Sequence, residues 1–172
     1  MRSAPAGPPT RDLEDLEDVE VLVRRFYQAV IPDPTLGPIF EAMEVDWSVH
    51  IPKLVDFWAL RLFDRPGYQG NAAGAHLPVL DRVGFGDAEM ARWLELWHET
   101  VDERYVGPVA ERAKERARMA AQAITALARR HQDHQGGRRT YLELGRSSPA
   151  GLAGAARQRA GVNRSGGSGA QG

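Results

Sequence analysis

The sequence has no cysteine among its 172 residues. This absence excludes disulfides, cysteine-ligated zinc, iron–sulfur clusters and haem that is bound through a thiolate or a thioether. A metal centre in this chain must therefore use histidine, carboxylate, tyrosine or methionine ligands. A chain without cysteine also fits a reducing compartment, and we expect a cytoplasmic protein.

An excess of charge of one sign and long hydrophobic runs are also lacking. The 22 basic and 23 acidic residues give a formal net charge of −1, which is no general reason to expect nucleic acid as a partner. No apolar run approaches the roughly 20 residues that cross a bilayer. No apolar stretch follows residues 1–9, where a signal peptide would have one. We therefore expect neither a nucleic-acid nor a membrane partner.

Composition divides the chain into three zones. Residues 1–11 are rich in Pro, Ala and Gly, and residues 12–134 contain all four Trp and all five Phe. From residue 135 onward Gly, Arg, Ser and Ala dominate. Such a segment buries too little apolar surface to offset its ordering entropy. The sequence thus predicts one folded domain at 12–134, between disordered extensions at 1–11 and 135–172.

The spacing of apolar residues in the middle zone predicts helices. The first stripe recurs every three or four residues, at Leu13, Leu16, Val19, Leu22, Phe26 and Val30. This period places the apolar side chains on one face of a helix. Pro32 and Pro34 end the stripe, because proline lacks a backbone N–H and cannot continue a helix. No strand-like alternation occurs, and the predicted fold class is all-α.

Prolines and acidic residues predict several helix boundaries. Asp46 is expected to cap a helix whose start is left open by Pro52: either it begins near residue 50 or its first turn is irregular. A short helical stub is expected to end at Pro78. Asp87 is expected to cap a long helix, and Pro108 to open the last one.

The five histidines are the strongest candidate metal ligands. No two of them have the spacing of a zinc protease or a di-iron bundle. His131 and His134 are expected at a solvated helix end, and His98 on a wet face. His76 lies on a short segment between chain breaks, where one ring nitrogen can point inward and suits a metal bound from one side. A capping or surface histidine is the other interpretation of His76.

Several of these residues form an ordered series. It consists of Phe26-Tyr27, Leu36-Gly37-Pro38-Ile39-Phe40, Trp47, His50, Phe57-Trp58, Tyr68, Gly70-Asn71, His76 and Trp93. This series resembles the group III (P-type) truncated haemoglobins over about residues 12–131. Residues 36–40 and 56–58 are its most specific parts. The resemblance implies a truncated globin, which is a 2-over-2 helical sandwich with a shortened first helix.

The resemblance also implies a cofactor, haem b, and a set of site residues. His76 takes the position of the proximal iron ligand. Tyr27, His50 and Trp93 take the positions of the three distal polar aromatics that face a bound gas. The remaining expected cofactor contacts are Phe40 on the porphyrin face, Phe57, Trp58 and Trp97 in the walls, and Lys53 beside a propionate.

The loop ahead of His76 departs from the family pattern. Residues 64–67 read Asp-Arg-Pro-Gly where relatives are richer in glycine, and Ala72 stands where proline is frequent. Because these changes lie in the loop that orients His76, we expect the geometry of this loop to differ from that of the family, while His76 remains the ligand.

The function implied is the binding of O₂, NO or a related diatomic ligand. Tyr, Trp and His side chains all donate hydrogen bonds, so a site crowded with them favours ligand retention or redox chemistry over bulk transport. Detoxification of nitric oxide or peroxide, as a dioxygenase or peroxidase-like enzyme, would need electrons from a separate reductase. Whether His50 or Tyr27 occupies the iron at rest stays open.

Two other classes of function remain as alternatives. A haem-free helical bundle could act as an interaction module through a basic face formed by Arg112, Lys114, Arg116 and Arg118. The other interpretation of these residues is an ordinary solvent-exposed helix face. Nucleic-acid binding through that helix and the tail arginines is disfavoured by the net charge near zero.

Overall fold

The computed structural model describes residues 8–146, with side chains described for residues 8–135. The chain divides into two units, residues 1–131 and 132–172. The described residues form six α-helices and one 3₁₀ turn and contain no strand, as the all-α prediction required. In chain order they are α1 (Leu16–Val30), α2 (Gly37–Ala42), α3 (Trp47–Phe63), the 3₁₀ turn (Gly74–His76), α4 (Leu77–Arg82), α5 (Asp87–Asp102) and α6 (Pro108–Arg146).

Helix α1 forms the centre of the first unit. The Asp15 side chain caps it by accepting from the backbone N–H of Asp18 at 3.0 Å. Its buried face contains Val19, Leu22, Phe26 and Val30 of the predicted stripe and packs against α3 and α5. Leu16 was wrongly placed in that stripe, because it lies exposed at the first position of the helix. Leu13 belongs to the core but lies ahead of the helix, which begins only after its cap.

Helix α3 begins at its predicted cap. Asp46 accepts from the backbone N–H of Ser48 at 2.9 Å, and the helix runs from Trp47 through Pro52 without interruption. The structure thus decides the open question: the helix starts before residue 50. Pro52 removes one backbone hydrogen bond near the solvent-exposed first turns of the helix.

Two predicted boundaries in the next segment are wrong. Pro78 does not end the helical stub, because the 3₁₀ turn runs directly into α4 with Pro78 in its first turn, where a backbone N–H needs no partner. Asp87 is the first residue of α5 and its cap is Gly86. The Glu89 carboxylate accepts from the Gly86 N–H at 2.7 Å and satisfies this helix start.

The chain ahead of α1 caps the last helix, which opens at Pro108 as predicted. The Asp12 carboxylate accepts from the backbone N–H groups of Val109 and Ala110, both at 2.8 Å. Gly107 has a φ of +147°, and a Cβ there would lie 2.5 Å from the Asp12 carboxyl carbon. Because glycine alone combines this φ with that space, Gly107 allows the carboxylate to reach the helix start.

The ends of the predicted domain differ in detail from the structure. The Arg11 side chain pairs with Asp18, and the Arg11 carbonyl accepts a hydrogen bond from the Val106 N–H at 2.9 Å. The folded part of the chain therefore begins before residue 12. Helix α6 continues past residue 134 to Arg146. Residues 1–7 and 147–172, on which the other parts of the disorder prediction fall, lie outside the described residues. Among those described, no helix is both long and apolar enough to cross a membrane.

Replacing Asp12 by alanine should destabilise the first unit. The change removes the acceptor of two backbone N–H groups at a helix start, and we expect a loss of about 1–2 kcal/mol in the free energy of unfolding. Urea denaturation measures this loss. Glu14→Ala, which removes a nearby exposed acid with no capping role, is the control, and equal losses in the two variants would contradict the interpretation.

Candidate functional site

Helices α1, α3, α5 and α6 and the 3₁₀ turn enclose a cavity of about 330 Å³, here called the main cavity. Seven of the nine predicted site residues line it. They are Tyr27, His50, Lys53, Phe57, Trp58, His76 and Trp93. The fold thus brings together residues that are up to 66 positions apart in the sequence, here Tyr27 and Trp93.

His76 is held by its own backbone. Its Nδ1 lies 2.8 Å from the carbonyl oxygen of Ala72, and because a carbonyl only accepts, Nδ1 carries the proton. Burial lowers the pKa of His76, more than the bond to Ala72 raises it. The imidazole is therefore neutral near pH 7, and its Nε2 presents a lone pair. The Phe85 ring packs edge-on against it, with centroids 5.9 Å apart.

Tyr27 contributes a buried phenol from α1. Burial raises the pKa of Tyr27 far above its usual value, while a hydrogen bond from Trp93 acts in the opposite direction. The hydroxyl is therefore protonated at any physiological pH and can donate a hydrogen bond. Its ring meets the His50 ring edge-on at 5.8 Å between centroids.

His50 contributes a second imidazole from α3. Burial lowers the pKa of His50, and the nearby positive charge of Lys53 lowers it further. A neutral imidazole has one N–H donor and one acceptor nitrogen. Together, His50, Tyr27 and Trp93 supply hydrogen-bond donors to the same cavity that His76 lines.

Two of the predicted cofactor contacts do not line the main cavity. Trp97 is fully buried behind it, stacked on Trp58 at 4.2 Å and 16° between planes, and its indole N–H donates to the Ala113 carbonyl at 3.2 Å. Phe40 packs edge-on to Tyr27 at 5.7 Å and lines a separate groove. In this structure both rings support the cavity wall from outside.

Seven other residues complete the lining. They are Leu54, Tyr68, Ala72, Ala75, Met90, Ala120 and Ile124. Tyr68 meets the Phe57 ring edge-on at 5.2 Å and already belonged to the ordered series of the sequence. The sequence did not single out Met90 or Ile124 as site residues. Of the three alanines, Ala72 was noted only as a departure in the loop, and alanine in general fits both a close helix contact and a cavity wall.

The basic face of α6, which the alternative interpretation used, is largely engaged within the chain. Three of its four cations bind neighbouring groups. The pairs are Arg112 with the Leu62 carbonyl (3.0 Å), Lys114 with Asp102 and Glu111 (both 2.7 Å), and Arg118 with Glu115 (2.8 Å). Arg116 differs, since its nearest polar contact is the Met119 sulfur at 3.9 Å.

Other metal-ligand sets are not formed by the described side chains. Within residues 8–135 no three His, Asp or Glu side chains converge as ligands. His98 lies partly buried, with no hydrogen-bond partner for its Nε2, and not on the wet face expected for it. His131 lies 2.7 Å from Asp81, where it joins α6 to α4.

An all-helical fold around a cavity with one backbone-held histidine and facing polar aromatics defines a globin-like protein, and comparisons identify the group. No profile of a known protein family matches the chain. The group 3 truncated hemoglobin ctb of Campylobacter jejuni is 30% identical over 109 residues, which cover 61% of this chain and 84% of that relative.

A solved structure agrees with this relative. The crystal structure of group III truncated hemoglobin from Campylobacter jejuni superimposes with a TM-score of 0.61 and 27% sequence identity, covering 69% of this chain and 95% of that one. The chain belongs to the group III truncated haemoglobins, as its sequence predicted.

The hydrogen bond to Ala72 predicts the tautomer of His76. Before haem is added, long-range ¹H–¹⁵N NMR of the full chain at pH 8 should show His76 protonated on Nδ1 and bare on Nε2. His134, which is exposed, should show the mixture of tautomers typical of a solvated imidazole and serves as the control. A proton found on Nε2 of His76 would contradict the geometry.

Proposed function

We propose that this chain binds haem in the main cavity and holds a small diatomic ligand there, with His76 as the proximal ligand. The observation that carries the proposal is the His76–Ala72 hydrogen bond, which leaves Nε2 as a donor of its lone pair in a cavity that Tyr27, His50 and Trp93 also line. Membership in the group III truncated haemoglobins supports the same cofactor.

The residues of the main cavity fit this cofactor. Its walls are mostly aromatic and aliphatic, which suits a flat apolar macrocycle, and its charged lining residue, Lys53, can pair with a propionate. A chain without cysteine forms no thioether bond, so we propose haem b, held without covalent attachment. When bound, the haem would supply an iron that His76 holds and that binds the small ligand.

On the proximal side, the protein orients one imidazole. The Nδ1–H···O=C bond fixes the ring orientation and makes Nε2 more basic, as partners of metal-bound histidines generally do. Because Phe85 packs against the ring, the side chain has little rotational freedom. Burial keeps the imidazole neutral, which is the form that binds a metal.

On the distal side, three donors face the ligand position. A net hydrogen bond contributes about 0.5–1.5 kcal/mol, and more when the acceptor carries charge. Two or three such bonds would slow ligand release by a factor on the order of 10–1,000, since each 1.4 kcal/mol is about tenfold. We therefore assign the site to retention and reaction of the ligand, O₂ or NO, in preference to bulk transport.

The finer activity that we propose is oxidation of nitric oxide or reduction of peroxide, in the cytoplasm. Slow release gives time for a second reactant to arrive, and buried protonated donors such as Tyr27 can stabilise charge that develops on the ligand. Such turnover draws electrons from a separate reductase. The cysteine-free composition supports a reducing compartment.

Replacing His76 by glycine tests the proximal assignment. The variant removes the imidazole and opens space for a small molecule, so we expect the absorption spectrum of the haem-loaded chain to change and added imidazole to restore it. His134→Gly is the matched control, since His134 is exposed and does not line the main cavity. If the spectrum of His76→Gly were identical to that of the unaltered chain, His76 would not be the proximal ligand and the proposal would be wrong.

The retention role predicts the kinetics of two distal variants. Tyr27→Phe and Trp93→Leu each remove one donor, and O₂ should leave about ten times faster from either variant in a stopped-flow measurement. Tyr105→Phe is the control, because Tyr105 is buried but bonds to Asp18, outside the main cavity. If all three variants release O₂ at the original rate, the site does not retain its ligand through these donors.

A further inference from the structure

A second cavity adjoins the main cavity. It measures about 320 Å³ and lies between α3, the segment ahead of the 3₁₀ turn, and α6. Four residues line both cavities, namely Phe57, Ala72, Ala120 and Ile124. Since two of these four are alanines, the partition between the cavities is thin.

The polar groups of the second cavity are all hydrogen-bond donors or positive charges. Its lining includes Arg61, Arg116 and Asn71 and no carboxylate. The Asn71 Oδ1 already accepts from the backbone N–H of Gly74 at 3.0 Å, which leaves the NH₂ group as its available end. The remaining lining residues are glycine, alanine, methionine, phenylalanine and isoleucine.

Neither guanidinium has a carboxylate partner among the described side chains. The Arg61 guanidinium lies over the Phe57 ring, 5.3 Å from its centroid, and so stands at the partition itself. The hydrogen bond of Arg116 among the described side chains is to the Met119 sulfur, at 3.9 Å. The other three cations of the basic face, Arg112, Lys114 and Arg118, bind neighbouring groups as described above, so the cation of that face without such a partner lies at the same cavity as Arg61.

The other large groove of the first unit has the opposite character. It is lined by Asp33, Glu41 and Glu44 and by no basic residue. The positive lining therefore distinguishes the second cavity from this groove. Clefts lined by charge of one sign concentrate small ions of the opposite sign and speed their arrival.

We propose that the second cavity binds small inorganic oxyanions, such as nitrite or nitrate, and admits them to the main cavity past Arg61 and Phe57. Two guanidinium forks and one amide supply the planar donors that an oxyanion accepts from. The alanine walls leave room for an ion of this size to pass. Anion binding in the second cavity does not depend on haem, whereas passage of the anion to an iron rests on the proposed function.

The test compares a charged with a neutral ligand in the full haem-loaded chain. In the ferric form, stopped-flow absorbance measures the association of nitrite and of azide, and in the ferrous form that of CO. Arg61→Gln/Arg116→Gln should slow both anions about tenfold and flatten their dependence on ionic strength. CO association should change by less than about twofold.

A matched control removes the same net charge elsewhere. Arg25→Gln/Arg130→Gln neutralises two exposed arginines that line neither cavity, and it should leave all three rates unchanged. Equal slowing in both double variants would overturn the proposal, because net charge alone would then explain it. Unchanged anion rates in Arg61→Gln/Arg116→Gln would overturn it as well.

An alternative role for Arg61 and Arg116 is to pair with the carboxylates of the haem propionates. The rates at which haemin and haemin dimethyl ester dissociate from the chain distinguish propionate binding from oxyanion binding, because the ester has no free carboxylate. If Arg61→Gln/Arg116→Gln speeds the loss of haemin but not of its ester, the arginines hold the propionates and the oxyanion proposal fails. Equal loss of both haems from the variant and from the unaltered chain supports it.

Failure of the proposed function gives a different result. A chain that takes up no haem contradicts that function but leaves the second cavity testable by NMR of the arginine side chains. Nitrate should then shift the Nε–H signals of Arg61 and Arg116 and spare that of Arg25. Signals that do not respond to nitrate would overturn the anion site independently of haem.

Discussion

The hydrogen bond from His76 Nδ1–H to the Ala72 carbonyl is the interaction on which the site depends. It joins two residues only four positions apart, His76 at the end of the 3₁₀ turn and Ala72 ahead of that turn, and it gives the imidazole a defined tautomer and direction. Without it, the short segment between α3 and α4 would leave Nε2 free to rotate away from the cavity. Because the acceptor is a backbone atom, the unusual alanine at position 72 leaves this bond intact.

A buried aromatic stack holds Trp93, one of the three residues that we propose to face the ligand. Trp97 is sandwiched between Trp58 and Trp93, with ring planes 16° and 3° apart, and its own N–H is satisfied by Ala113. Phe26 meets both Trp93 and Trp97 edge-on. Such packing fixes the indole of Trp93 without using its polar atom, which leaves that N–H directed at a partner in the main cavity, such as Tyr27.

Features encoded within one helix were predictable from the sequence, whereas features set by contacts between helices were not. Most of the α1 stripe and the cap at Asp46 follow from residue spacing and local bonding and are found, although Leu16 is exposed. Pro78 was misjudged because a proline in the first turn of a helix and one after its last turn look alike in sequence. The places of Phe40 and Trp97 outside the lining depend on how rings pack across helices, which spacing along one helix does not determine.

The central claim is that this chain binds haem in an aromatic cavity, with His76 as its proximal ligand. A titration of the purified full chain with haemin, followed by absorbance in the Soret region, tests it most directly. The account predicts saturation at one haem per chain, and on reduction a spectrum that shifts when CO is added. A chain that leaves the spectrum of added haemin unchanged, or binds it without a defined stoichiometry, would contradict the account.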